Sequence, residues 1–353
     1  MLEPREYEGY WWLPDDPDDK VTGTLSFSQD DIRLELLGAF KSVVAAKVPK
    51  AGQVIAFGSD FGRLPDQARI TGVIRGHDYV SLEECTGFSP EAMLPPRSDL
   101  DITTTSYRPR FVLVGAGYDV REEVAFDEVS MRFSDLETWV DRSGFDQKAV
   151  FGESGMSSVT VTYEQLDPIE VRIDEDTALK IEFPWSWSGH ARHMTESRIT
   201  QGASFRLLFG TPANLERALT YVTQLRSFLA LAVGRPIRVL RVYGLHQANP
   251  AGAYQPSGAA PPRHIEVELL FRLVGLPAEP ERKPYPDEML FTLRDAEPRL
   301  EEILTTWFNQ HERLGPVLVR YFHLVHTTPS SRESEFENLV RVLETHQIGR
   351  AHV

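Results

Sequence analysis

The chain has 353 residues, 41% of them hydrophobic and 25% charged, so it can bury a sizeable core and is not a disordered polymer. Its net charge of −15 argues against broad, salt-driven binding to nucleic acid, which needs a basic face, although a local basic groove stays open. No run approaches the roughly 18 unbroken apolar residues of a membrane span, and the N-terminus lacks the pattern of a secretory signal.

Strand patterns dominate the first two-thirds of the chain. In several short runs apolar residues alternate with polar ones, which is the period of half-buried antiparallel strands. Because turn-forming residues separate these runs, a sandwich or a barrel is favoured over a parallel sheet with helical crossovers. The runs lie at 23–27, 32–36, 53–57, 69–74, 80–85, 110–114 and 124–133.

A short helix is predicted after the last of these strands. Ser134-Asp-Leu-Glu137 has the pattern of a capping box, in which Glu137 reaches back to the cap. The helix should include Trp139 and Val140 and end near Gly144. We expect Trp139 to be a buried anchor, because it lies where this helix would pack back onto the sheet.

The next part of the chain combines strands with one amphipathic helix. Residues 147–158 are rich in Gly and Ser and indicate a loop. Apolar residues recur at helical spacing over 215–233, preceded by a Thr-Pro-Ala cap at 211–213 and stopped by Gly-Arg-Pro at 234–236. Further strands are predicted at 159–163, 169–173, 178–183, 203–209, 238–243 and 265–273.

Beyond a charged segment interrupted by prolines, the pattern becomes helical, at 300–310, 317–325 and 333–345. We therefore predict an α+β fold, with a β-rich, sandwich-like N-terminal body in two lobes followed by α-helices. The expected domains are a first β-rich lobe at 1–146, a second with the long helix at 147–277, a linker at 278–299 and a helical lead-in at 300–347.

Three stretches resemble the ApeA family. The aromatic and proline run at 9–14, with the Val-Thr-Gly-Thr-Leu strand at 21–25, resembles the opening of the family. Residues 129–139 resemble its strand followed by a Ser/Asp-Leu-x-x-Trp helix. Late in the chain, Trp307-Phe308 followed by Leu-Gly-Pro-Val at 314–317 resembles the entry into the C-terminal HEPN domain of the family.

The resemblance implies a bacterial, intracellular anti-phage protein that acts by abortive infection. Its N-terminal part would sense a phage-derived trigger, and its HEPN part would be a metal-independent ribonuclease that halts the growth of the host. RNA would then be bound only through the HEPN domain, and a homodimer of the full-length protein is compatible with the resemblance. No cofactor and no membrane association are implied.

Residues 348–353, Ile-Gly-Arg-Ala-His-Val, form an unusual end. One reverse translation matches a widely used sequencing adapter read in frame, so we expect an artefact that should be left out of fold reasoning. The chain would then stop inside the first HEPN helix, which would contain Phe336, Leu339 and Leu343. We expect such a fragment to recognise rather than catalyse, and its helices over 300–347 to be marginal without the rest of that domain.

HEPN ribonucleases carry Arg-x(4–6)-His, in which arginine can hold a phosphate and histidine can move a proton. About two such matches are expected by chance in a chain of this size, so the pattern assigns no catalytic residue. The matches here are Arg241 with His246, Arg320 with His326, and Arg341 with His346.

Several other residues could belong to a binding or metal site. Trp11, Trp12, Trp185 and Trp187 could form a stacking platform for a base or a sugar, although core packing is favoured. His190 and His193 could bind zinc with Glu182 or Glu196, although a polar loop with exposed histidines is favoured. The carboxylates Asp15, Asp16, Asp18 and Asp19 lack the spacing of a calcium loop and indicate a solvated acidic loop.

Cys85 is the only cysteine, which excludes an intramolecular disulfide and a cysteine-based zinc site and fits a reducing cytoplasm. We therefore assign no catalytic, cofactor-binding or metal-binding residue. Two other functions stay open: a carbohydrate-binding β-sandwich module that uses exposed tryptophans, and a metal-dependent hydrolase built around His190 and His193. Two tryptophans on one open surface would favour the first, and bound metal would favour the second.

Overall fold

The computed structural model describes residues 4–28, 31–41, 64–76, 78–88, 104–119, 122–153, 155–188, 196–246, 265–272, 282–326 and 340. The chain divides into two units. Unit 1 contains Met1–Asp127 and Arg241–Val274, and unit 2 contains Glu128–Leu240 and Gly275–Val353. These units differ from the consecutive lobes 1–146 and 147–277 because the strand at Ile265–Phe271 pairs with the strand at Phe111–Val114, which returns the chain to unit 1.

The strands, in chain order, are β1 (Arg5–Leu13), β2 (Asp16–Phe27), β3 (Ile32–Leu37), β4 (Gln67–Ile74), β5 (Tyr79–Phe88), β6 (Thr104–Arg108), β7 (Phe111–Val114), β8 (Ala125–Phe133), β9 (Phe145–Gly152), β10 (Gly155–Tyr163), β11 (Ile169–Arg172), β12 (Thr177–Glu182), β13 (Trp185–Ser188), β14 (Arg198–Gln201), β15 (Ser204–Asn214), β16 (Val239–His246) and β17 (Ile265–Phe271). The α-helices are α1 (Leu136–Val140), α2 (Leu215–Val233), α3 (Leu293–Ala296) and α4 (Leu300–His326). Two short 3-10 turns lie at Pro286–Glu288 and Glu297–Arg299.

In unit 1, six strands close into a ring. They pair antiparallel in the order β5, β4, β1, β2, β3 and β6, and β6 pairs back onto β5. One half of the same edge of β5 pairs with β7, which continues through β17 to β16. Closing the ring removes free edges, so unit 1 takes the barrel form of the two architectures that the strand pattern left open.

The ring encloses one apolar core around Trp11. The Trp11 ring is fully buried, and its Nε1 donates a hydrogen bond to the carbonyl oxygen of Gly23 at 3.1 Å. A Cβ atom at Gly72 would lie 2.3 Å from the Trp11 ring, so glycine is required where β4 passes over the indole. The remaining large buried side chains alternate along the strands, as the period-2 pattern predicts.

Unit 2 contains the sheet β11-β12-β15-β8, with helix α2 as its principal helix. The side chain of Asn214 caps α2 by accepting a hydrogen bond from the backbone N–H of Arg217, and Gly234 ends the helix at φ 74°. Trp139, buried on α1, lies edge-on to Phe205 of β15 and to Phe228 of α2, with ring centroids 6.0 and 5.9 Å away. These rings form the centre of the core of unit 2.

Helix α4 begins docked in unit 2. Leu300, Leu304 and Trp307 are buried, and the Trp307 Nε1 donates a hydrogen bond to the carbonyl oxygen of Gln224 at 3.1 Å. The first turns of this helix therefore have a packing surface within the chain, while the marginal stability expected for the helices over 300–347 stays a prediction. The segment 278–299, expected as a linker, contributes buried Leu293 and Ala296 to the same unit.

The predicted α+β, β-rich fold class is confirmed, and most predicted strands and the helix over 215–233 are present. The prediction of a loop at 147–158 was wrong, because this stretch forms most of the β9–β10 hairpin. The helices at 300–310 and 317–325 are parts of one helix, α4. The strands β1, β6, β13 and β14 were not predicted. The strand at 53–57 and the helix at 333–345, apart from Val340, lie outside the described residues.

Both predicted N-terminal caps were wrong. Ser134 accepts a hydrogen bond from the backbone N–H of Arg238, while Glu137 pairs with Arg132, so they form no capping box. The residue at the cap position is Asp135, in a left-handed conformation at φ 62°. Residues 211–213 lie in β15, and the cap of α2 is Asn214 instead.

Candidate functional site: an exposed aromatic surface on two hairpins

Two hairpins of unit 2, β9–β10 and β13–β14, each form a separate two-stranded sheet. Cross-strand pairing places Phe145 opposite Tyr163 and Phe151 opposite Met156, with a register shift between Met156 and Ser158. Because side chains alternate between the faces of a strand, these four residues share one face of the β9–β10 hairpin. The same face carries Ala149, Val159, Val161 and, as its polar member, Gln147.

The opposite face of this hairpin is polar. It carries Asp146, Lys148, Thr160 and Thr162, and Val150 is its large apolar side chain. Nearly every residue of both strands is exposed, so in the described chain neither face is covered. An isolated two-stranded ribbon is at best marginally stable in water. An apolar face that stays uncovered on such a ribbon is therefore unusual and indicates a surface with a binding role.

The β13–β14 hairpin extends the apolar face. The ring of Tyr163 contacts Phe145 at 4.9 Å and Trp185 at 5.3 Å between centroids. Trp185 and Trp187 are two residues apart on β13 and therefore share a face, with exposures of 46% and 58%. We call the resulting group the aromatic surface; it consists of Phe145, Phe151, Met156, Val159, Val161, Tyr163, Trp185 and Trp187.

Hydrogen bonds fix the orientation of both exposed indoles. The Nε1 of Trp185 donates to Gln165 Oε1 at 3.3 Å, and that of Trp187 donates to Ser197 Oγ at 3.0 Å. Across the strands of this hairpin, the hydroxyls of Ser186 and Thr200 are 2.7 Å apart. The two rings are thus held in place while their faces stay open to solvent.

The bases of the two hairpins are joined around Gly144. Its N–H donates to Gln201 Oε1 at 2.8 Å, and Gln201 Nε2 donates to the carbonyl oxygen of Arg142 at 2.9 Å. A Cβ atom at Gly144 would lie 2.1 Å from the carbonyl oxygen of Glu164 and 2.9 Å from the Tyr163 ring. Glycine is therefore required for the close approach that places Tyr163 between the hairpins.

The described charged groups of the two hairpins leave the aromatic surface without an unpaired cation. Among the described residues, Lys148 pairs with Asp146 at 3.6 Å and Arg198 pairs with Glu196 at 3.5 Å. Glu153, at the tip of the β9–β10 hairpin, and Glu164, at its base, form no ion pair within the described chain. Within the described ranges, the surface is therefore apolar with an acidic rim and offers no cation for phosphate.

The four tryptophans considered as a stacking platform fall into two groups. Trp11 is in the core of unit 1, whereas Trp12 is half-buried with the Lys20 Nζ 5.3 Å from its ring centroid. Core packing is therefore confirmed for Trp11. It was wrong for Trp185 and Trp187, which lie on the aromatic surface of unit 2.

The proposed zinc ligands His190 and His193 lie outside the described residues. Of their suggested partners, Glu182 pairs with Arg206 at 3.0 Å and Glu196 with Arg198 at 3.5 Å. Across the described ranges, no group of three or more His, Cys, Asp or Glu side chains converges as a metal site would require.

Of the three Arg-x(4–6)-His matches, one has both side chains within the described residues. Arg241 and His246 are five residues apart on β16, so alternation directs them to opposite faces. Arg241 is exposed, while His246 is partly buried beside Tyr118, at 6.5 Å between ring centroids. The side chains of Arg320, His326, Arg341 and His346 lie outside the described part of the chain.

The acidic run at 15–19 is not simply a solvated loop. Asp15, Asp16 and Asp18 are exposed, but Asp19 is buried on β2. Its carboxylate accepts a hydrogen bond from the backbone N–H of Lys41 at 2.7 Å and pairs with the Lys41 Nζ at 3.3 Å. Asp19 therefore has a structural role in unit 1.

A polar cleft of about 300 Å³ lies in unit 2, lined by residues that include Asp174, Tyr221 and Phe308. Burial opposes ionisation of Asp174, but the hydrogen bond from the Tyr221 hydroxyl, at 2.8 Å, and one from the backbone N–H of Asp176 outweigh it and lower the pKa of Asp174. Arg217, also in the lining, pairs with Asp176 at 2.9 Å. Because Asp174 and Arg217 both have hydrogen-bonding or ion-pair partners within the chain, we assign these groups of the cleft a structural role.

The fold and the site define a β-rich α+β protein that presents a fixed aromatic surface, a feature typical of binding proteins. Comparison with models of protein families matches residues 6–307 to ApeA N-terminal domain 1, and the chain belongs to this family. The resemblance inferred from the sequence is thus confirmed, while the HEPN domain remains a prediction. Comparisons with curated proteins and with solved structures gave no match. Within the described ranges, every helix is too short or too polar to span a bilayer.

Proposed function

We propose that this chain is the recognition region of a bacterial anti-phage protein and that it binds a phage-derived trigger through the aromatic surface. In the parent protein, a HEPN domain would be the ribonuclease and would bind the RNA. Membership of the ApeA N-terminal domain 1 family supports the first part of this proposal. The aromatic surface supports the second.

The observation that carries the proposal is the concentration of exposed apolar side chains. Of the thirteen large hydrophobic residues that are exposed in the described chain, seven belong to the aromatic surface: Phe145, Phe151, Met156, Val159, Val161, Trp185 and Trp187. Single exposed apolar residues are common, but contiguous groups with a polar rim mark interaction sites.

The arrangement also favours binding over chemistry. The indoles of Trp185 and Trp187 are held by hydrogen bonds before any partner arrives, so little rotamer entropy is lost when a partner binds. Tryptophan and tyrosine are the residues that most often dominate the binding energy of protein interfaces.

The test uses the complete gene that contains this chain, expressed in a bacterial host that is challenged with phage. We expect Val161→Ser to abolish protection, measured as the efficiency of plating. The matched control is Val150→Ser, since both valines are on the same hairpin with exposures of 49% and 57% but lie on opposite faces. The control should keep protection, and both proteins should keep the wild-type melting temperature.

Equal protection by the two variants would contradict the proposal, because the apolar face would then have no role that the polar face lacks. Phe151→Ser provides a second test of the apolar face and should also abolish protection. Phe151 is the most exposed large apolar residue of the hairpins, at 74%. A loss of protection with Val150→Ser alone would place recognition on the opposite face.

Carbohydrate binding is the second candidate, because Trp185 and Trp187 meet the requirement for two tryptophans on one open surface. Stacking of sugar rings on both indoles would make Trp187→Ala lose binding. Affinity electrophoresis through gels that contain soluble polysaccharides tests this candidate. Retardation of the wild type but not of Trp187→Ala would support it, and unchanged migration of the wild type in every gel would reject it.

A further inference from the structure

The outer edge of β10 lacks the features that normally protect a strand edge. Gly155–Tyr163 contains no charged residue and no proline, and within the described chain β9 is its one pairing partner. Proteins usually protect exposed edges with charges, proline or a covering segment, because an open edge is a template for another strand. The neighbouring strand β9 carries both Asp146 and Lys148, so the unprotected edge of the hairpin is that of β10.

The side chains along this edge suit a second strand with an alternating pattern. Val159, Val161 and Tyr163 point to the aromatic surface, while Ser158, Thr160 and Thr162 point to the polar face. A strand added beside β10 would extend both faces, and its own apolar residues would enlarge the aromatic surface. The main-chain ladder would supply affinity and the alternating side chains would supply selectivity.

The charges around this edge discriminate among partners. The chain has a net charge of −15, and the rim of the surface carries Glu153 and Glu164 without an ion pair in the described residues. A nucleic acid or a second copy of this acidic chain would meet like charge there. A polypeptide with lysine or arginine at the ends of its strand would meet opposite charge.

We infer that the partner of the aromatic surface is an extended polypeptide segment that pairs with the edge of β10, with alternating apolar side chains and basic residues at its ends. The inference rests on the proposed function, since it gives the chemical class of the trigger. It requires no covalent chemistry and no cofactor.

Three labelled synthetic peptides test the inference against the whole chain by fluorescence anisotropy at physiological ionic strength. The first has an alternating Val-Thr core as long as β10 and lysines at both ends. The second replaces the lysines with glutamates. The third keeps the lysines but has a central proline, which removes a backbone donor. We expect the second and third to bind about tenfold or more weakly than the first.

Variants of the chain locate the binding site. Val161→Lys, which places a charge on the apolar face, should weaken binding of the lysine-flanked peptide by about tenfold or more, whereas Val150→Lys should leave it within about twofold. Phe151→Lys provides a second variant of the apolar face should Val161→Lys lower the melting temperature. Equal affinities for all three peptides, or binding that ignores Val161→Lys and Phe151→Lys, would overturn the inference.

Analytical ultracentrifugation of the chain without peptide tests a second copy as the occupant. A dimer that Val161→Lys dissociates and Val150→Lys does not would overturn the inference in favour of self-association. The phage challenge separates this inference from the proposed function. Loss of protection with Val161→Ser but no peptide binding would reject only the polypeptide partner. Peptide binding with full protection by Val161→Ser would reject the surface as the site of trigger recognition.

Discussion

Unit 2 contains two aromatic clusters of similar geometry and opposite exposure. Around Trp139, Phe205 and Phe228 the rings are about 6 Å apart and buried, while around Tyr163 and Trp185 similar spacings occur at an open surface. The buried Trp139 Nε1 finds no hydrogen-bond acceptor in the described structure, whereas the exposed indoles of Trp185 and Trp187 both donate one. Packing therefore holds the first cluster, and polar contacts hold the second in a conformation ready to bind.

The largest effect that this comparison predicts is at Trp139. Trp139→Ala should lower the free energy of unfolding by about 3–5 kcal/mol, because it removes a fully buried indole and leaves a cavity between Phe205 and Phe228. Trp187→Ala, at an exposed indole, should change it by less than about 0.5 kcal/mol. Urea unfolding curves measure both. Equal losses of unfolding free energy in the two variants would contradict the contrast between a buried cluster that stabilises the fold and an exposed cluster that does not.

A smaller effect is expected at the ion pair that supports α1. Arg235 makes two hydrogen bonds to the buried Asp135 carboxylate, at 3.0 and 2.6 Å. Arg235→Met should cost about 2–3 kcal/mol, because the carboxylate is left without its partner while Arg235 itself is partly exposed. Arg299→Met removes the exposed pair with Glu302 and should cost less than about 1 kcal/mol. If Arg235→Met lowered the free energy of unfolding no more than Arg299→Met does, water would have to solvate the Asp135 carboxylate in place of Arg235.

The smallest effect concerns pH. Because the folded-state pKa of Asp174 is lowered, its contribution to stability is present above its unfolded pKa of about 3.9 and is lost as the pH falls through the folded value. Tyr221→Phe removes a hydrogen bond to this carboxylate and should cost about 1 kcal/mol at pH 7, with a smaller cost once Asp174 is protonated. Urea unfolding at pH 7 and at successively lower pH values tests this, with the exposed Tyr10→Phe as control. If the loss of unfolding free energy in Tyr221→Phe did not change with pH, the Tyr221 hydroxyl would not stabilise the ionised carboxylate of Asp174.

The sequence predicted best where periodicity reflects burial. Helix α2 was predicted with its observed bounds because its apolar stripe faces the core. β9 and the first half of β10 were missed because Gly152, Gly155, Ser157 and Ser158 are typical loop residues, and because a strand exposed on both faces lacks the usual alternation of burial. The alternation of Val159, Val161 and Tyr163 correctly predicted the second half of β10 as a strand.

Other errors come from choices that only tertiary contacts decide. The capping-box pattern failed because Ser134 and Glu137 find partners in Arg238 and Arg132 instead. Nothing in the sequence distinguishes Trp11, which fills the barrel opposite Gly72, from Trp185, which stays exposed. Pairing of the strands, which is non-local, determines which aromatic residues are buried.

Amide hydrogen exchange of β10 tests most directly the claim that the aromatic surface is an open recognition site. The chain alone is compared with the chain mixed with extract from phage-infected or uninfected cells. We predict that Gly155–Tyr163 exchanges faster than Leu215–Val233 in the chain alone and slows only with the infected extract, while Leu215–Val233 is unchanged. Protection of β10 equal to that of α2 in the chain alone, or no response to the infected extract, would contradict the account.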